Sequence, residues 1–164
     1  MKDVWDLPQR AGPKPRTTAT NPHQQVDQNA PPPMQEALFQ KAQGLPGVLV
    51  RPSMISVKGA RAFWLPPALA LGPPEAFMIG EEFAHLHPPY DGSLHMRLPF
   101  GAIEEVLVKG WGELHPSAPQ GFAPGKTVMV FGARDEAELE IVWQILQQSY
   151  DFATGRGAER GGAA

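Results

Sequence analysis

The strongest constraint on the fold is an alternation of side chains over residues 80–98, GEEFAHLHPPYDGSLHMRL. Side chains two residues apart in a β-strand point to the same face of the sheet, so His85 and His87 share one face. His95 and Arg97 alternate with apolar residues in the same way. The intervening PPYDGS is rich in turn-forming residues and has no apolar periodicity. The stretch therefore predicts a β-hairpin with one apolar face and one histidine-bearing face, and a one-residue slip would bury the wrong face.

Composition separates a central domain from two flanking segments. The chain has 164 residues, of which 42% are hydrophobic, with 19 Pro and 17 Gly unevenly placed. Residues 1–33 are rich in Pro, Thr, Gln and Asn and lack apolar periodicity, so they are predicted to form a disordered tail. Residues 154–164 are rich in Gly and Ala and are predicted to be disordered for the same reason. Residues 34–153 have the usual size of one compact domain.

Charge and residue types exclude several classes of function. The net charge is −3, and the two flanking segments each carry +1, which leaves −5 on the domain. An acidic domain without a stripe of Lys and Arg binds phosphate poorly, so no nucleic-acid partner is expected. Cysteine is absent, which excludes disulfides, a thiolate nucleophile and zinc–thiolate sites. Without an apolar run of about 18 residues or a signal-peptide core, we expect a cytoplasmic protein with no membrane span and a small-molecule substrate.

The remaining apolar patterns predict helices that cover a sheet. Helices are predicted over Met34–Gln43, from Pro99 to Lys109, and after the capping residue Asp135. Besides the hairpin, short β-rich runs predict strands at residues 48–50, 62–65 and 127–131, with a further short strand at 76–79. Together they predict a single α+β domain, with one mainly antiparallel sheet covered by two or three helices.

Four blocks of the sequence resemble the luciferase domain of fungal luciferases and their bacterial relatives. They are residues 82–95 with their HLH, Asp and LH, then VLVKGWGELHP, VMVFGARDEAELEIV and SYDFAT. The motif residues that carry over by position are His85, His87, Asp91, His95, Gly110–Gly112, His115 and Arg134. The resemblance implies a cofactor-independent, oxygen-consuming enzyme, because fungal luciferases oxidise 3-hydroxyhispidin, a hydroxylated α-pyrone, through a peroxide that loses carbon dioxide and emits light.

This sequence also departs from the fungal pattern. The fungal enzymes resemble membrane-anchored proteins with an N-terminal hydrophobic segment, whereas a Pro-rich segment takes that place here. Gly92 and Ser93 differ from the turn of the fungal enzymes. A relative of this kind is expected to act on another enol, hydroxypyrone or phenol, because a fold does not determine a substrate.

The residue types themselves suit the oxidation of an enol. Oxygen attacks an enolate far more readily than a neutral enol, so such an enzyme needs a base that works near neutral pH and groups that stabilise the anion. Histidine, with an ordinary pKa of about 6.5, suits the first task. The candidate catalytic residues are His85, His87, His95 and His115, with Asp91 to orient a ring. The candidate substrate-binding residues are Arg97 and Arg134 for the anion, Trp111 and Tyr90 for stacking on a flat ring, and Ser93 in the turn.

A metal site is the competing interpretation of the same histidines. Two histidines in H-x-H and a third on a paired strand can bind zinc, iron or copper, and Asp91 resembles the carboxylate that follows HxH in cupins. In that case His85, His87 and His95 are the ligands. The interpretation that follows the resemblance has no cofactor and uses molecular oxygen as co-substrate. A third interpretation treats the histidines as structural, in a non-catalytic small-molecule or metal-binding module.

Overall fold

The computed structural model describes residues 5–121 and 124–156 and contains one antiparallel sheet with three α-helices. In chain order the elements are α1 (Pro32–Gln43), β1 (Leu49–Pro52), β2 (Arg61–Trp64), β3 (Glu82–Leu86), β4 (Leu94–Arg97), α2 (Phe100–Val108), β5 (Gly112–Leu114), β6 (Thr127–Val130) and α3 (Glu136–Thr154). The strand order is β1-β2-β3-β4-β6-β5, and every neighbouring pair is antiparallel. The predicted α+β architecture is confirmed.

The predicted hairpin is formed by β3 and β4, with the register that the alternation requires. His85 lies opposite His95, and Leu86 lies opposite Leu94. Every residue of the two strands is buried. Both faces of the hairpin are therefore covered, the apolar face by the helices and the histidine face by loops and the N-terminal segment.

Helix α3 covers the apolar face of the sheet. It begins at Asp135, whose side chain accepts a hydrogen bond of 2.9 Å from the backbone N–H of Glu138, as the capping pattern predicts. It ends at Gly155, whose φ of 86° lies in the left-handed region that glycine tolerates. Its buried apolar side chains pack in one core with those of the strands; this core includes Leu139, Val142, Ile145 and Leu146 of the helix and Ala84, Leu86, Leu94 and Met96 of the hairpin.

The structure differs from the prediction of a strand at 76–79. Pro74–Ala76 is a short 3-10 helix, and Ile79 makes only an isolated bridge to Glu82. Pro73 and Pro74 explain the difference, because a proline donates no ladder hydrogen bond but fits the first turn of a helix.

The N-terminal segment, residues 5–33, packs against the domain, where the sequence predicted a disordered tail over residues 1–33. Its buried residues include Leu7, Arg10, His23, Gln25 and Ala30. The indole N–H of Trp111 donates to the carbonyl of Pro8 at 2.7 Å, and the hydroxyl of Thr17 donates to Glu113 at 2.9 Å. This segment is held by individual hydrogen bonds and not by an apolar stripe. Its composition therefore does not indicate that it packs against the domain. Of the other predicted tail, Thr154 ends α3, while residues 157–164 lie outside the described residues, as do residues 1–4.

Within residues 5–121 and 124–156, no helix combines the length and the apolar character that a membrane span requires.

Candidate functional site

All five histidines of the chain converge on the polar face of the sheet. His85 and His95 come from the paired strands β3 and β4, and His87 directly follows β3. His115 directly follows β5, and His23 arrives from the N-terminal segment. Each is at most 3% exposed. The strand pair β3–β4, the end of β5 and the N-terminal segment therefore build a single buried cluster.

His95 lies at the centre of this cluster and faces three other rings. Its Nδ1 is 3.0 Å from Nε2 of His87 and 3.2 Å from Nε2 of His85. Its Nε2 is 2.8 Å from Nδ1 of His23. Both nitrogens of His95 thus face ring nitrogens, so the protons of His23, His85, His87 and His95 are linked.

Two glutamates close the ends of the cluster. Oε2 of Glu82 is 2.8 Å from Nδ1 of His85, and Oε2 of Glu113 is 2.7 Å from Nε2 of His23. The other oxygen of Glu113 pairs with Nζ of Lys14 at 2.7 Å, at the protein surface. The cluster therefore reaches from the buried carboxylate of Glu82 to a solvent-exposed ion pair.

The turn between β3 and β4 provides the partners of His87. Nδ1 of His87 is 2.9 Å from Oγ of Ser93, whose hydroxyl donates to Oδ1 of Asp91 at 2.5 Å. Asp91 also accepts the backbone N–H of Ser93 at 2.9 Å, and Gly92 between them has a φ of +77°. Burial raises the pKa of Asp91, but hydrogen bonds from His87 and Ser93 outweigh burial and lower it overall. Asp91 is therefore ionised and orients His87 directly and through Ser93.

Burial favours the neutral form of four histidines of the cluster, His23, His85, His95 and His115. It lowers the pKa of His23 and His85 below the ordinary value and lowers the pKa of His95 well below it, where repulsion from the neighbouring rings adds to the effect. Burial and the nearby rings also lower the pKa of His115 to about 4. Neutral rings offer lone pairs, which can accept a proton or bind a metal.

A cavity of about 550 Å³ lies beside the cluster. Its lining includes the four histidines 23, 87, 95 and 115, the segment 55–57 and the segment 119–121. Nδ1 of His115 accepts the backbone N–H of Ser117 at 3.0 Å, so the neutral ring carries its proton on Nε2. Nε2 of His115 and Oε1 of Gln120 are among the buried polar atoms of the described residues that lack a hydrogen-bond partner. Two residues of the cavity lining thus have one unsatisfied donor and one unsatisfied acceptor.

Arg97 and Tyr90, which were predicted as substrate-binding residues, are not among the residues that line this cavity. Arg97 is buried, and its guanidinium donates to the hydroxyl of Thr127 and to the carbonyls of Glu75, Gln120 and Pro124. It positions the loop after β5, one part of which lines the cavity. Tyr90 is 63% exposed, at the outside of the turn.

Arg134 and Trp111 also lie away from the cavity and hold the N-terminal segment. The guanidinium of Arg134 pairs with Glu138 and donates to the carbonyl of Ala11 at 2.8 Å. Trp111 is buried and donates to Pro8. Ser93 contacts His87 rather than the cavity. The five predicted histidine and aspartate residues are brought together, whereas the predicted anion-binding and stacking residues are not.

Four residues of the site were missed in the sequence: His23, Glu82, Glu113 and Gln120. His23 lies in a segment without periodicity, and its residue type was the only signal. Strict alternation places Glu82 on the face opposite to His85, but the ladder between β2 and β3 shifts register beside Trp64, which brings Glu82 to the histidine face. A register irregularity of this kind leaves no mark in the amino-acid pattern.

Two groups of three histidines could hold a metal ion. His85, His87 and His95 form one, and His23, His95 and His115 form the other; in each group the ligand nitrogens lie within 4.8 Å of one another. The first group is the set predicted from the H-x-H spacing. Imidazole ligands suit zinc, copper, iron and nickel.

Comparison with known proteins supports the resemblance. A family model described as the luciferase domain matches residues 80–149, which span β3 to most of α3. A luciferase of Armillaria gallica and one of Armillaria mellea are each 31% identical to the chain over 91% of its length. A luciferase of Neonothopanus nambi is 31% identical over 58% of the chain.

These relatives are longer proteins. The chain spans 62% of the length of the two Armillaria luciferases and 39% of the Neonothopanus protein. No solved structure gives a significant match. The matched blocks contain the paired strands, the turn and the histidines 85, 87, 95 and 115. Residues 80–149 thus match the luciferase-domain model, and the chain as a whole is similar to these fungal luciferases.

Proposed function

We propose that this chain catalyses the oxidation of an electron-rich enol, hydroxypyrone or phenol by molecular oxygen. The observation that carries the proposal is the cavity of about 550 Å³, in whose wall four histidines meet and in which Nε2 of His115 and Oε1 of Gln120 lack partners. A cavity of this size suits a small organic molecule. The relatives named luciferases support an oxygen-consuming reaction of this class.

Substrate binding uses the two free polar atoms of the wall. The Nε2–H of His115 donates to an oxygen of the substrate, and Oε1 of Gln120 accepts a hydrogen bond from a substrate hydroxyl. Because the pKa of His115 is about 4, its ring stays neutral at pH 7 and remains a donor throughout the reaction. The same donor stabilises the negative charge that develops when the hydroxyl loses its proton.

The wall formed by His87 and His95 removes the hydroxyl proton. A neutral imidazole accepts a proton from a group within hydrogen-bond reach. The positive charge that this produces is stabilised by the carboxylates at the ends of the cluster, through the contact from His95 to His23 and on to Glu113. The enolate carbon then forms a bond to oxygen, and the two electrons that it supplies reduce oxygen to the level of a peroxide.

The test is oxygen uptake by the purified protein with a panel of hydroxypyrones, enols and catechols, with light recorded in the same cuvette. Wild type is expected to consume oxygen with at least one substrate, and His115→Ala is expected to lower kcat/KM about 100-fold, as loss of an oxyanion donor does. Tyr90→Phe is the matched control, because Tyr90 lies outside the cavity. Saturable binding of these compounds without oxygen uptake, or full activity in His115→Ala, contradicts the proposal.

A further inference from the structure

The carboxylates at the ends of the cluster determine where the ring protons lie. An ionised carboxylate accepts hydrogen bonds and donates none. Glu82 therefore accepts the Nδ1–H of His85, and Glu113 accepts the Nε2–H of His23. In the neutral rings, the lone pairs are then on Nε2 of His85 and on Nδ1 of His23.

The same reasoning determines the protons of His87 and His95. The hydroxyl of Ser93 donates to Asp91, so its oxygen accepts the Nδ1–H of His87, and the lone pair of His87 is on Nε2. Nε2 of His95 faces the lone pair of His23 at 2.8 Å, so His95 carries its proton there. The lone pair of His95 is consequently on Nδ1.

Three lone pairs therefore meet at one point with no hydrogen between them. Nδ1 of His95 is 3.2 Å from Nε2 of His85 and 3.0 Å from Nε2 of His87. Facing lone pairs repel unless a positive charge lies among them. We propose that this point binds one divalent first-row transition-metal ion, such as Fe²⁺ or Zn²⁺, through Nε2 of His85, Nε2 of His87 and Nδ1 of His95.

The spacing of the three nitrogens fits such an ion. Metal–nitrogen bonds of about 2.0–2.1 Å in tetrahedral geometry separate two ligand nitrogens by about 3.4 Å. The two separations of 3.0 and 3.2 Å are close to this value. All three nitrogens lie within 4.8 Å of one another. A single proton bridges one pair of nitrogens in a line, whereas here one nitrogen makes two short contacts.

The second nitrogen of each ligand ring has the kind of partner that metal-binding histidines use. Such rings donate the other N–H to a carboxylate or another acceptor, which fixes the tautomer and raises ligand basicity. His85 donates to Glu82, and His87 donates to Ser93. His95 donates to His23, which in turn donates to Glu113.

Charge balance is an independent observation that points to a cation. Glu82 and Asp91 are at most 1% exposed, and their ion-pair partners within the described part of the chain are the histidines 85 and 87. Neither carboxylate makes an ion pair with a Lys or Arg there, whereas Glu113 does, with Lys14. Buried charges need a compensating charge. A divalent ion at the junction of the three histidines would supply positive charge next to the two rings that Glu82 and Asp91 contact.

The other group of three histidines does not meet these conditions. Nδ1 of His115 already accepts the N–H of Ser117, so Nε2 of the neutral ring carries a proton and cannot coordinate. Binding at the first group does not depend on the proposed oxidation. A bound ion would occupy the lone pairs of His87 and His95, so these rings would accept the hydroxyl proton only in the metal-free protein. In the loaded protein the charge of the ion would favour the anionic form of a substrate hydroxyl.

The test is a titration of chelator-stripped, full-length protein with Co²⁺ and Zn²⁺, followed by the visible d–d absorption of cobalt and by calorimetry. Wild type is expected to bind one ion per chain. His85→Ala, His87→Ala and His95→Ala are each expected to lose the absorption, and Glu82→Gln is expected to bind about 10–100-fold more weakly. His115→Ala is expected to keep the affinity of wild type. Circular dichroism checks that each variant is folded.

Absence of binding to folded wild type overturns the proposal, and so does binding that His115→Ala abolishes and His85→Ala retains. If the ligand variants do not fold, the comparison of wild type with Glu82→Gln tests the proposal. Equal metal affinity of these two proteins overturns the proposed site. Metal binding without oxygen uptake overturns the proposed oxidation and supports the metal site. Oxygen uptake by a protein that binds no metal supports the oxidation and overturns the metal site.

Discussion

At the scale of single residues, His95 is the side chain on which the buried cluster depends. Three rings direct a nitrogen at it, from His85, His87 and His23. We expect His95→Ala to lower the free energy of unfolding by about 2–4 kcal/mol, because Nδ1 of His23 loses the N–H of His95 and a cavity opens in the buried cluster. Urea denaturation of metal-stripped protein measures this change.

The matched control for His95→Ala is Tyr90→Phe, which removes one exposed hydroxyl and is expected to change stability by less than about 0.5 kcal/mol. If the two variants were equally stable, His95 would not be the centre of the network that its contacts describe.

Arg97 is a second residue on which the site depends, because it holds the loop beside the cavity. Its guanidinium donates to three backbone carbonyls, two of them at Gln120 and Pro124 in the loop beside the cavity. We expect Arg97→Lys to cost about 2 kcal/mol of stability, because an ammonium cannot reproduce the fork of planar donors. Substrate binding should weaken with it, since Gln120 loses its support.

Thermal unfolding and substrate titration of Arg97→Lys measure these two effects. Arg51→Lys is the control, because Arg51 is an exposed residue of β1. A direct role of Arg97 on the substrate would instead abolish binding with no change in stability.

At the scale of elements, the N-terminal segment is the part of the structure that closes the histidine face. Its anchor is the hydrogen bond from Trp111 to the carbonyl of Pro8. We expect Trp111→Phe to cost about 1 kcal/mol and to increase amide exchange in residues 5–12 more than elsewhere. Hydrogen exchange read by mass spectrometry measures this difference.

Trp143→Phe is the control for this experiment, because the indole ring of Trp143 lies on α3 beneath the ammonium group of Lys41 of α1. Equal exchange of residues 5–12 in both variants would mean that other contacts hold the segment.

How far the sequence predicted these elements depends on where the determining contacts lie. The register of β3 and β4 followed from local alternation, and α3 followed from the cap at Asp135 and its apolar spacing. The packing of residues 5–33 depends on contacts to residues about a hundred positions away, such as Trp111 to Pro8, which no local pattern encodes. The position of Glu82 depends on a register shift beside Trp64, and the orientation of Arg97 depends on carbonyls of distant loops.

At the scale of the whole molecule, the neutral histidines make stability depend on pH. In the folded state, burial lowers the pKa of His115 to about 4 and also lowers the pKa of His23, His85 and His95. In the unfolded state these groups titrate near 6.5. Between these values the unfolded chain binds more protons than the folded chain, so stability rises with pH across the window.

We therefore expect metal-stripped protein to lose stability steadily as the pH falls from about 6.5 to about 4, and to change little between about 6.5 and 8. Urea denaturation at a series of pH values measures this. His115→Gln removes one of the titrating groups and should flatten the dependence. A stability that rises on acidification would contradict the burial of neutral rings.

The contact between His23 and Glu113 also bears on the order in which the protein is made. These two residues are 90 positions apart, and the ring of His95, which His23 also contacts, lies on β4 between them. During synthesis, His23 leaves the ribosome first, its partner His95 follows with β4, and its partner Glu113 emerges only with β5. A nascent chain halted before Glu113 therefore carries four of the five histidines without the carboxylate that orients His23, so the centre is complete only once β5 has emerged.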